Sequence, residues 1–311
     1  MNLRIDLKSP LRRNVSLASH CTMQVGGEAN YFAEPASEEE LVELLEFVHQ
    51  ENIPFIILGK GSNVIFPDDG FPGLVITLIH FEQDKIRFDP EALTVTASSG
   101  IYLYRLVLAC RDQGFAGTEF LANVPGTLGG ALIMNAGFSR FPGQTNQIGD
   151  LVEEVTILHP DGRKAVLAKK ELEFSYRHTN LQGKIVLAGK LKLWRRKPEE
   201  IQQEIRANFE DRNRKQDLQY PSSGSIFKNP RPPLPSAGEL IERLGWKGAK
   251  VGGAMVSVKH GNYIINNGGA KSADVVQLIQ KIKKAVLDAT GILLESEVRI
   301  MENPGGAEER P

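Results

Sequence analysis

Two glycine clusters and three polar side chains are the residues whose types and spacing could do chemistry in this chain. Gly59-Lys60-Gly61-Ser62-Asn63 follows directly on the apolar run Phe55-Ile56-Ile57-Leu58. Glycines let backbone amides approach an anion, and Ser62 and Asn63 add side-chain donors, so the segment suits a phosphate-binding turn at the end of a strand. It is not the dinucleotide fingerprint, because Val64 stands where a third glycine is required, and no Walker-type lysine motif follows. Taken alone, it is equally well explained as a strand-to-loop turn. The second cluster, Gly126-Thr127-Leu128-Gly129-Gly130, runs through Ala131 to Met134-Asn135-Ala136-Gly137 and crowds small residues at a helix entrance. That crowding admits a pyrophosphate or a flat ring, or lets the helix pack closely on a sheet. Two such clusters in one chain favour a dinucleotide.

Arg177 lies in Phe174-Ser175-Tyr176-Arg177-His178, where an arginine is ordinarily a solvated loop cation. Ser225 sits in the turn-rich segment Pro221-Ser222-Ser223-Gly224-Ser225-Ile226-Phe227-Lys228-Asn229-Pro230. No GxSxG elbow and no evident histidine base accompany it, so a hydrolase triad is not expected, and backbone capping is its plain alternative. Glu297 alternates with Glu295 and Arg299 along Leu294-Glu295-Ser296-Glu297-Val298-Arg299-Ile300, which equally describes a solvated strand face. The six histidines show no ligand spacing, and Cys21 and Cys110 stand outside any CxxC pattern, so no metal is expected and both thiols read as inert core groups.

The elements that must position these groups are legible in part. Ser37 with Glu40 forms a capping box ahead of Leu41, Leu44, Leu45 and Val48, which predicts a helix near 38 to 50. Residues 86 to 193 read mostly as short strands, with Val155-Thr156-Ile157-Leu158 and Ala165-Val166-Leu167 flanking the turn Pro160-Asp161-Gly162. Pro198 opens a polar helix to about Lys215. Ser272 is expected to cap a helix with Val275, Ile279, Ile282 and Val286 on one stripe, closed by Gly291, before a final strand from 294 to 300. The chain has 311 residues, enough for two or three domains, and 37 basic against 38 acidic side chains leave no global field for nucleic acid or an anionic membrane. With no signal-like N-terminus and no membrane-length apolar run, a cytoplasmic protein is expected. Residues 303–311 read as a disordered tail.

Taken in order, Met23-Gln24-Val25-Gly26-Gly27-Glu28-Ala29, Gly59 to Asn63, Val124 to Gly130 with Asn135-Ala136-Gly137, Ser175-Tyr176-Arg177, Gly224 to Pro230, Ala237-Gly238-Glu239-Leu240-Ile241 and Leu294 to Arg299 span most of the chain. In that order they resemble the family of UDP-N-acetylenolpyruvoylglucosamine reductases, FAD- and NADPH-dependent enzymes that make UDP-N-acetylmuramate for peptidoglycan. The resemblance implies an α+β fold. It has two FAD-binding subdomains of the vanillyl-alcohol-oxidase (PCMH) type, at 1–82 and 83–197, and an α+β substrate-binding domain at 198–302. It implies FAD held by Gly59, Gly61, Ser62, Asn63, Gly126, Thr127, Gly129 and Gly130 through backbone donors around the pyrophosphate, with Lys228 and Asn229 toward substrate phosphates. It also implies a catalytic trio. Arg177 by charge and Glu297 as a protonated donor stabilise an enol-like intermediate, and Ser225 protonates it. Only about 47 residues lie between Arg177 and Ser225, which resembles the shorter class of the family. Lys60, Asn123 and Phe138-Ser139 depart from the pattern, and a monomer is the family expectation.

Two rival readings stand beside this one: an alcohol oxidase of the same fold, and a nucleotide-sugar binding protein without activity. The joint presence of Arg177, Ser225 and Glu297 in their motifs weighs against both.

Overall fold

A computed structural model describes residues 7–82, 84–141 and 146–302, so the expected tail at 303–311 lies outside the described residues. Seven α-helices occur among them: α1 (Glu38–Gln50), α2 (Leu103–Asp112), α3 (Leu128–Met134), α4 (Ile148–Leu151), α5 (Pro198–Lys215), α6 (Ala237–Arg243) and α7 (Ser272–Thr290). With the strands between them they form an α+β fold of two compact units. Of the described residues, the first holds those within 7–12, 32–60 and 74–212, and the second those within 13–31, 61–73 and 213–302.

In the first unit, α1 begins as the sequence predicts. The Ser37 hydroxyl accepts from the Glu40 amide at 3.2 Å, and the Glu40 carboxylate reaches past Ser37 to the Ala36 amide at 2.8 Å. A cap of this kind contributes about 1 kcal/mol, and Leu41, Leu44, Leu45, Phe47 and Val48 supply the buried stripe behind it. Phe55–Leu58 pairs in parallel with Leu74–Thr77. A five-stranded sheet follows, in the order Lys164–Ala168, Val152–Leu158, Ile185–Lys192, Thr94–Ser98, Ile86–Asp89, with its hairpin at the expected turn. The mostly-strand reading of 86–193 passes over α2. Leu103, Leu106, Val107 and Cys110 recur at helical spacing and are all buried, so this stripe packs into the unit's core beside Val95, Val155, Leu191 and Ile201. Cys110 is wholly buried there, and desolvation pushes its thiol up to about 12, in keeping with an inert core group.

The second unit has its own core around Ile226, Phe227, Ile264, Val275, Ile279 and Val286. Its sheet orders Ser222–Ser225, Tyr263–Asn266, Ala254–Val256 and Lys250–Val251 in an antiparallel array. The expectation that Ser272 caps α7 is corrected. Lys271, with extended φ −96° and ψ 158°, holds the N-cap position, and Ser272 is the first helical residue. The Ser272 hydroxyl donates to the Phe66 carbonyl at 2.5 Å. The cap comes from far away in sequence: the Asp68 carboxylate accepts the amides of Ser272 at 2.8 Å and Ala273 at 2.9 Å. A carboxylate there satisfies orphan amides and complements the helix dipole. At the other end Gly291 adopts φ 72° and closes α7 as expected.

The final strand is also shorter than its alternation predicts. Only Arg299–Ile300 forms a strand, parallel to Val64–Ile65. Upstream of it, 295–298 makes one isolated antiparallel bridge, Ser296 to Phe227, flanked by backbone bonds to Ile226 and Lys228, and the Glu297 carbonyl accepts from the Asn63 side chain.

Candidate active site

Three turns converge in the first unit. Gly59 ends the strand Phe55–Leu58, Ser99-Gly100 ends the strand Thr94–Ser98, and Gly126 to Gly130 lead into α3. Their approach is close. A β-carbon on Gly59 would stand 2.9 Å from the Thr127 hydroxyl, and one on Gly129 would stand 2.8 Å from the Ser99 β-carbon. Tyr102 pairs with Thr127, the Leu103 amide donates to the Gly126 carbonyl at 3.1 Å, and the Gly129 amide donates to the Ser99 carbonyl at 2.9 Å. Gly129 therefore contributes close approach, its amide being engaged by the protein itself. The Lys60 ammonium lies 5.3 Å from the centre of the Tyr102 ring, which adds positive charge beside these turns.

Ser99 is the residue that motif reading misses. Its hydroxyl is buried and makes no hydrogen bond among the described residues, and a buried polar atom of this kind calls for a partner. The signal is faint but present, as small residues Ser98-Ser99-Gly100 follow a strand. Asn123, the departure at the head of the second cluster, has a structural use. Its side-chain amide donates to the Asn208 carbonyl on α5 at 2.8 Å, and the Asn208 side chain donates to the Glu119 carbonyl at 3.1 Å. The loop that leads to Gly126 is thus fastened to α5.

Arg177 occupies a two-residue turn between the paired segments Phe174–Ser175 and His178–Thr179, with φ 55°. That left-handed conformation is uncommon for a residue with a side chain. Its guanidinium donates to the carbonyls of Gly137 at 3.2 Å and Asn135 at 3.5 Å, the latter a long contact. Asn135 is the pivot beneath it. Buried and itself at φ 45°, it donates to Gln147 at 2.5 Å and to the Ser175 carbonyl at 2.8 Å, and accepts the Gly149 amide at 3.0 Å. The Asn-Ala-Gly segment and the Arg177 turn are therefore one hydrogen-bonded assembly, and the solvated-cation reading of Arg177 does not describe it.

The second unit brings Ser225 and Glu297 together. Ser225 follows Gly224, which has φ 72°, in a strand whose register against Tyr263–Asn266 slips by one residue between Ser222 and Ser225. The next peptide accepts Glu297: the Glu297 amide donates to the Ile226 carbonyl at 2.8 Å, and the Lys228 amide donates to the Glu295 carbonyl at 2.9 Å. Asn63 joins them, donating from its side chain to the Glu297 carbonyl at 3.1 Å, while its own carbonyl accepts the Arg299 amide at 3.0 Å. Part of the donor capacity expected of Asn63 toward an anion is thereby used to hold the Glu297 strand. Gly61, at φ 65°, lies so near the His20 carbonyl that a β-carbon would stand 2.1 Å from it. Thr22 bridges this loop to the serine segment, its amide donating to the Gly61 carbonyl at 3.0 Å and its hydroxyl to the Ser222 carbonyl at 2.7 Å. Ser62 lies between Gly61 and Asn63 in the same loop. The Lys228 ammonium stands 3.4 Å from the Glu295 carboxylate, and the Asn229 side-chain oxygen accepts the Ala237 amide of α6 at 3.1 Å.

Converging glycine turns, an orphaned buried hydroxyl and a flanking lysine fit a flat, anionic dinucleotide. The class follows from this fold: residues 29–167 match a family model described as FAD binding domain, and the protein is a flavoprotein of the α+β type. Residues 216–301 match the model of the UDP-N-acetylenolpyruvoylglucosamine reductase C-terminal domain. The chain is 40% identical over 299 residues to the UDP-N-acetylenolpyruvoylglucosamine reductase of Moorella thermoacetica, covering 96% of this chain and 95% of that one. It is 41% identical to the reductase of Syntrophus aciditrophicus, covering 93% and 91%. The crystal structure of UDP-N-acetylenolpyruvylglucosamine reductase from Thermus caldophilus superposes with a TM-score of 0.77 at 33% identity, covering 95% of this chain and 99% of that one. The chain belongs to the UDP-N-acetylenolpyruvoylglucosamine reductase family.

Proposed function

We propose that the protein reduces the enolpyruvyl group of UDP-N-acetylglucosamine enolpyruvate to the lactyl ether of UDP-N-acetylmuramate, with NADPH as the source of electrons. The observation that carries this reading is the placement of Ser225 and Glu297 on adjoining backbone segments in a chain of this family. FAD, when bound, supplies the hydride chemistry, taking hydride from NADPH and passing it to C3 of the enolpyruvyl group. The protein's task is to make that carbon electrophilic. Negative charge develops at C2 and on the neighbouring carboxylate, and groups aimed at that charge act only in the transition state. Arg177 supplies a fixed positive charge and Glu297, protonated, a hydrogen bond; Ser225 then delivers a proton to C2. Every electron and proton is accounted for: hydride at C3, proton at C2.

FAD is assigned to Gly59, Gly61, Ser62, Asn63, Gly126, Thr127 and Gly130, to Gly129 through the close approach of α3, and to the Ser99 hydroxyl. Lys228 offers a point charge and Asn229 an amide donor to the substrate phosphates. The layout of two cofactor subdomains before residue 198 and a substrate domain after it is part of the same reading. So are the shorter class, a monomer and a cytoplasmic location. Among the described residues no helix is long and apolar enough to cross a membrane. The length from Arg177 to Ser225 supports the shorter class, since two short strands, the strand Ile185–Lys192 and α5 occupy most of it.

The test is turnover with the product identified by mass. NADPH oxidation that requires the enolpyruvyl compound and converts it to a product two hydrogens heavier is expected. NADPH oxidation that depends on oxygen alone and leaves that compound unchanged would contradict the assignment.

A further inference from the structure

The backbone ladder that carries Ser225 stops at the residue that needs it most. Ser225 pairs with Tyr263, and the partner strand turns away there, its Tyr263 amide donating to the His260 carbonyl at 3.0 Å. Beyond that point Asn262 takes over, with one backbone bond to Ile226 and its side chain on Phe227. Its oxygen accepts the Phe227 amide at 2.9 Å, its nitrogen donates to the Phe227 carbonyl at 2.8 Å, and the Asn262 carbonyl accepts the Ile226 amide at 3.0 Å. A carboxamide has the donor and acceptor of a peptide group, so Asn262 continues the sheet for one further residue without a strand. Only 4% of Asn262 is exposed, and water does not substitute easily for its bonds. Its own amide is held in turn by His260 Nδ1 at 3.1 Å, which fixes the ring as the tautomer protonated on Nε2. Burial holds this imidazole below its ordinary range and keeps Nδ1 an acceptor.

The peptide that Asn262 fixes has two neighbours of consequence. On one side it continues from Ser225, and through the Ile226 carbonyl it receives the Glu297 amide at 2.8 Å. We infer that Asn262 is a positioning residue for the reaction, setting the spacing between the Ser225 hydroxyl and the Glu297 carboxyl through the 226–227 peptide. Its role rests on the reading of Ser225 as the proton donor given above. Asn262 touches neither substrate nor cofactor in this role; it acts through Ser225.

The test is a double-mutant cycle on the flavin-loaded enzyme, with each half-reaction followed separately. In Asn262→Ala, bleaching by NADPH stays within about twofold, while recolouring by UDP-N-acetylglucosamine enolpyruvate slows by about 10²-fold, the effect of a misplacement on the order of 1 Å. On a Ser225→Ala background the same change slows recolouring by less than about threefold, because residues that act as a unit are not additive. If Asn262→Ala yields no folded protein, Asn262→Asp, which keeps the acceptor for Phe227, carries the cycle and is expected to couple in the same way. Equal slowing on both backgrounds, or equal slowing of both half-reactions, overturns the positioning role. Unchanged recolouring in Ser225→Ala alone is a different result, since it removes Ser225 and the reading beneath it.

Discussion

Replacing Ser225 by alanine is expected to leave flavin reduction by NADPH intact and to slow reoxidation by the enolpyruvyl substrate by about 10² to 10⁴, the usual contribution of a general acid. The reason lies in what each half-reaction asks of the chain. Reduction by NADPH needs the cofactor bound and the nicotinamide admitted, and Ser225 serves neither purpose. Reoxidation needs a proton at C2. A serine hydroxyl is a poor acid in water, so it can serve only a strongly basic carbon, and its effect is confined to that step. The variant should fold, because Ser225 is half-buried and its main-chain pairing with Tyr263 does not involve the hydroxyl. Stopped-flow spectra of the two half-reactions measure both rates. Slowing of both alike would point to a structural role for the hydroxyl, and unchanged reoxidation would remove Ser225 from the chemistry.

Gly61→Ala is expected to be the most damaging single methyl group in the cofactor loops. Alanine at φ 65° is strained by roughly 1 kcal/mol or more. Its β-carbon would also lie 2.1 Å from a backbone oxygen, that of His20, which has no flexible end to swing away. Relief requires the 20–22 and 61–63 segments to move apart, which opposes the 3.0 Å bond from the Thr22 amide to the Gly61 carbonyl. We expect a loss of about 3 kcal/mol or more in urea unfolding, together with weakened FAD retention. Gly59→Ala makes the contrast: its β-carbon would meet only the Thr127 hydroxyl, at 2.9 Å, a single side-chain atom rather than fixed backbone. The same measurement on both variants decides the matter, and equal stability of the two would show that the backbone at Gly61 yields more easily than its contacts imply.

How much of this was open to the sequence follows from how local each feature is. Helix α1 was fully legible, since its cap, its apolar stripe and its length lie in one stretch of fifteen residues or so. Helix α7 was legible in its stripe and its closing Gly291 but not in its start, because Asp68 supplies the cap from about two hundred residues away. Helix α2 carried a helical stripe that the surrounding strands obscured. The final strand looked continuous because alternation reports which face a residue takes and says nothing of its partners, and here Asn63 and the Ile226 peptide take what a neighbouring strand would have taken. Motif order picked out the glycine loops and Arg177, Ser225 and Glu297 as candidates. It could not show that Gly129 gives its amide to Ser99, that Asn63 holds the Glu297 strand, that Asn135 holds the Arg177 turn, or that Asn262 holds the 226–227 peptide. The last three of these tasks fall to asparagine carboxamides, and a carboxamide has no sequence signature until its partners are known.

In the proposed reaction one flavin serves both NADPH and the enolpyruvyl substrate. The visible spectrum of the purified protein under anaerobic conditions checks this, with NADPH added first and UDP-N-acetylglucosamine enolpyruvate second. Bleaching by NADPH followed by full return of colour on adding the second compound is the expected result, with one equivalent of substrate consumed per flavin. A bleached protein whose colour returns only on admitting oxygen would contradict it.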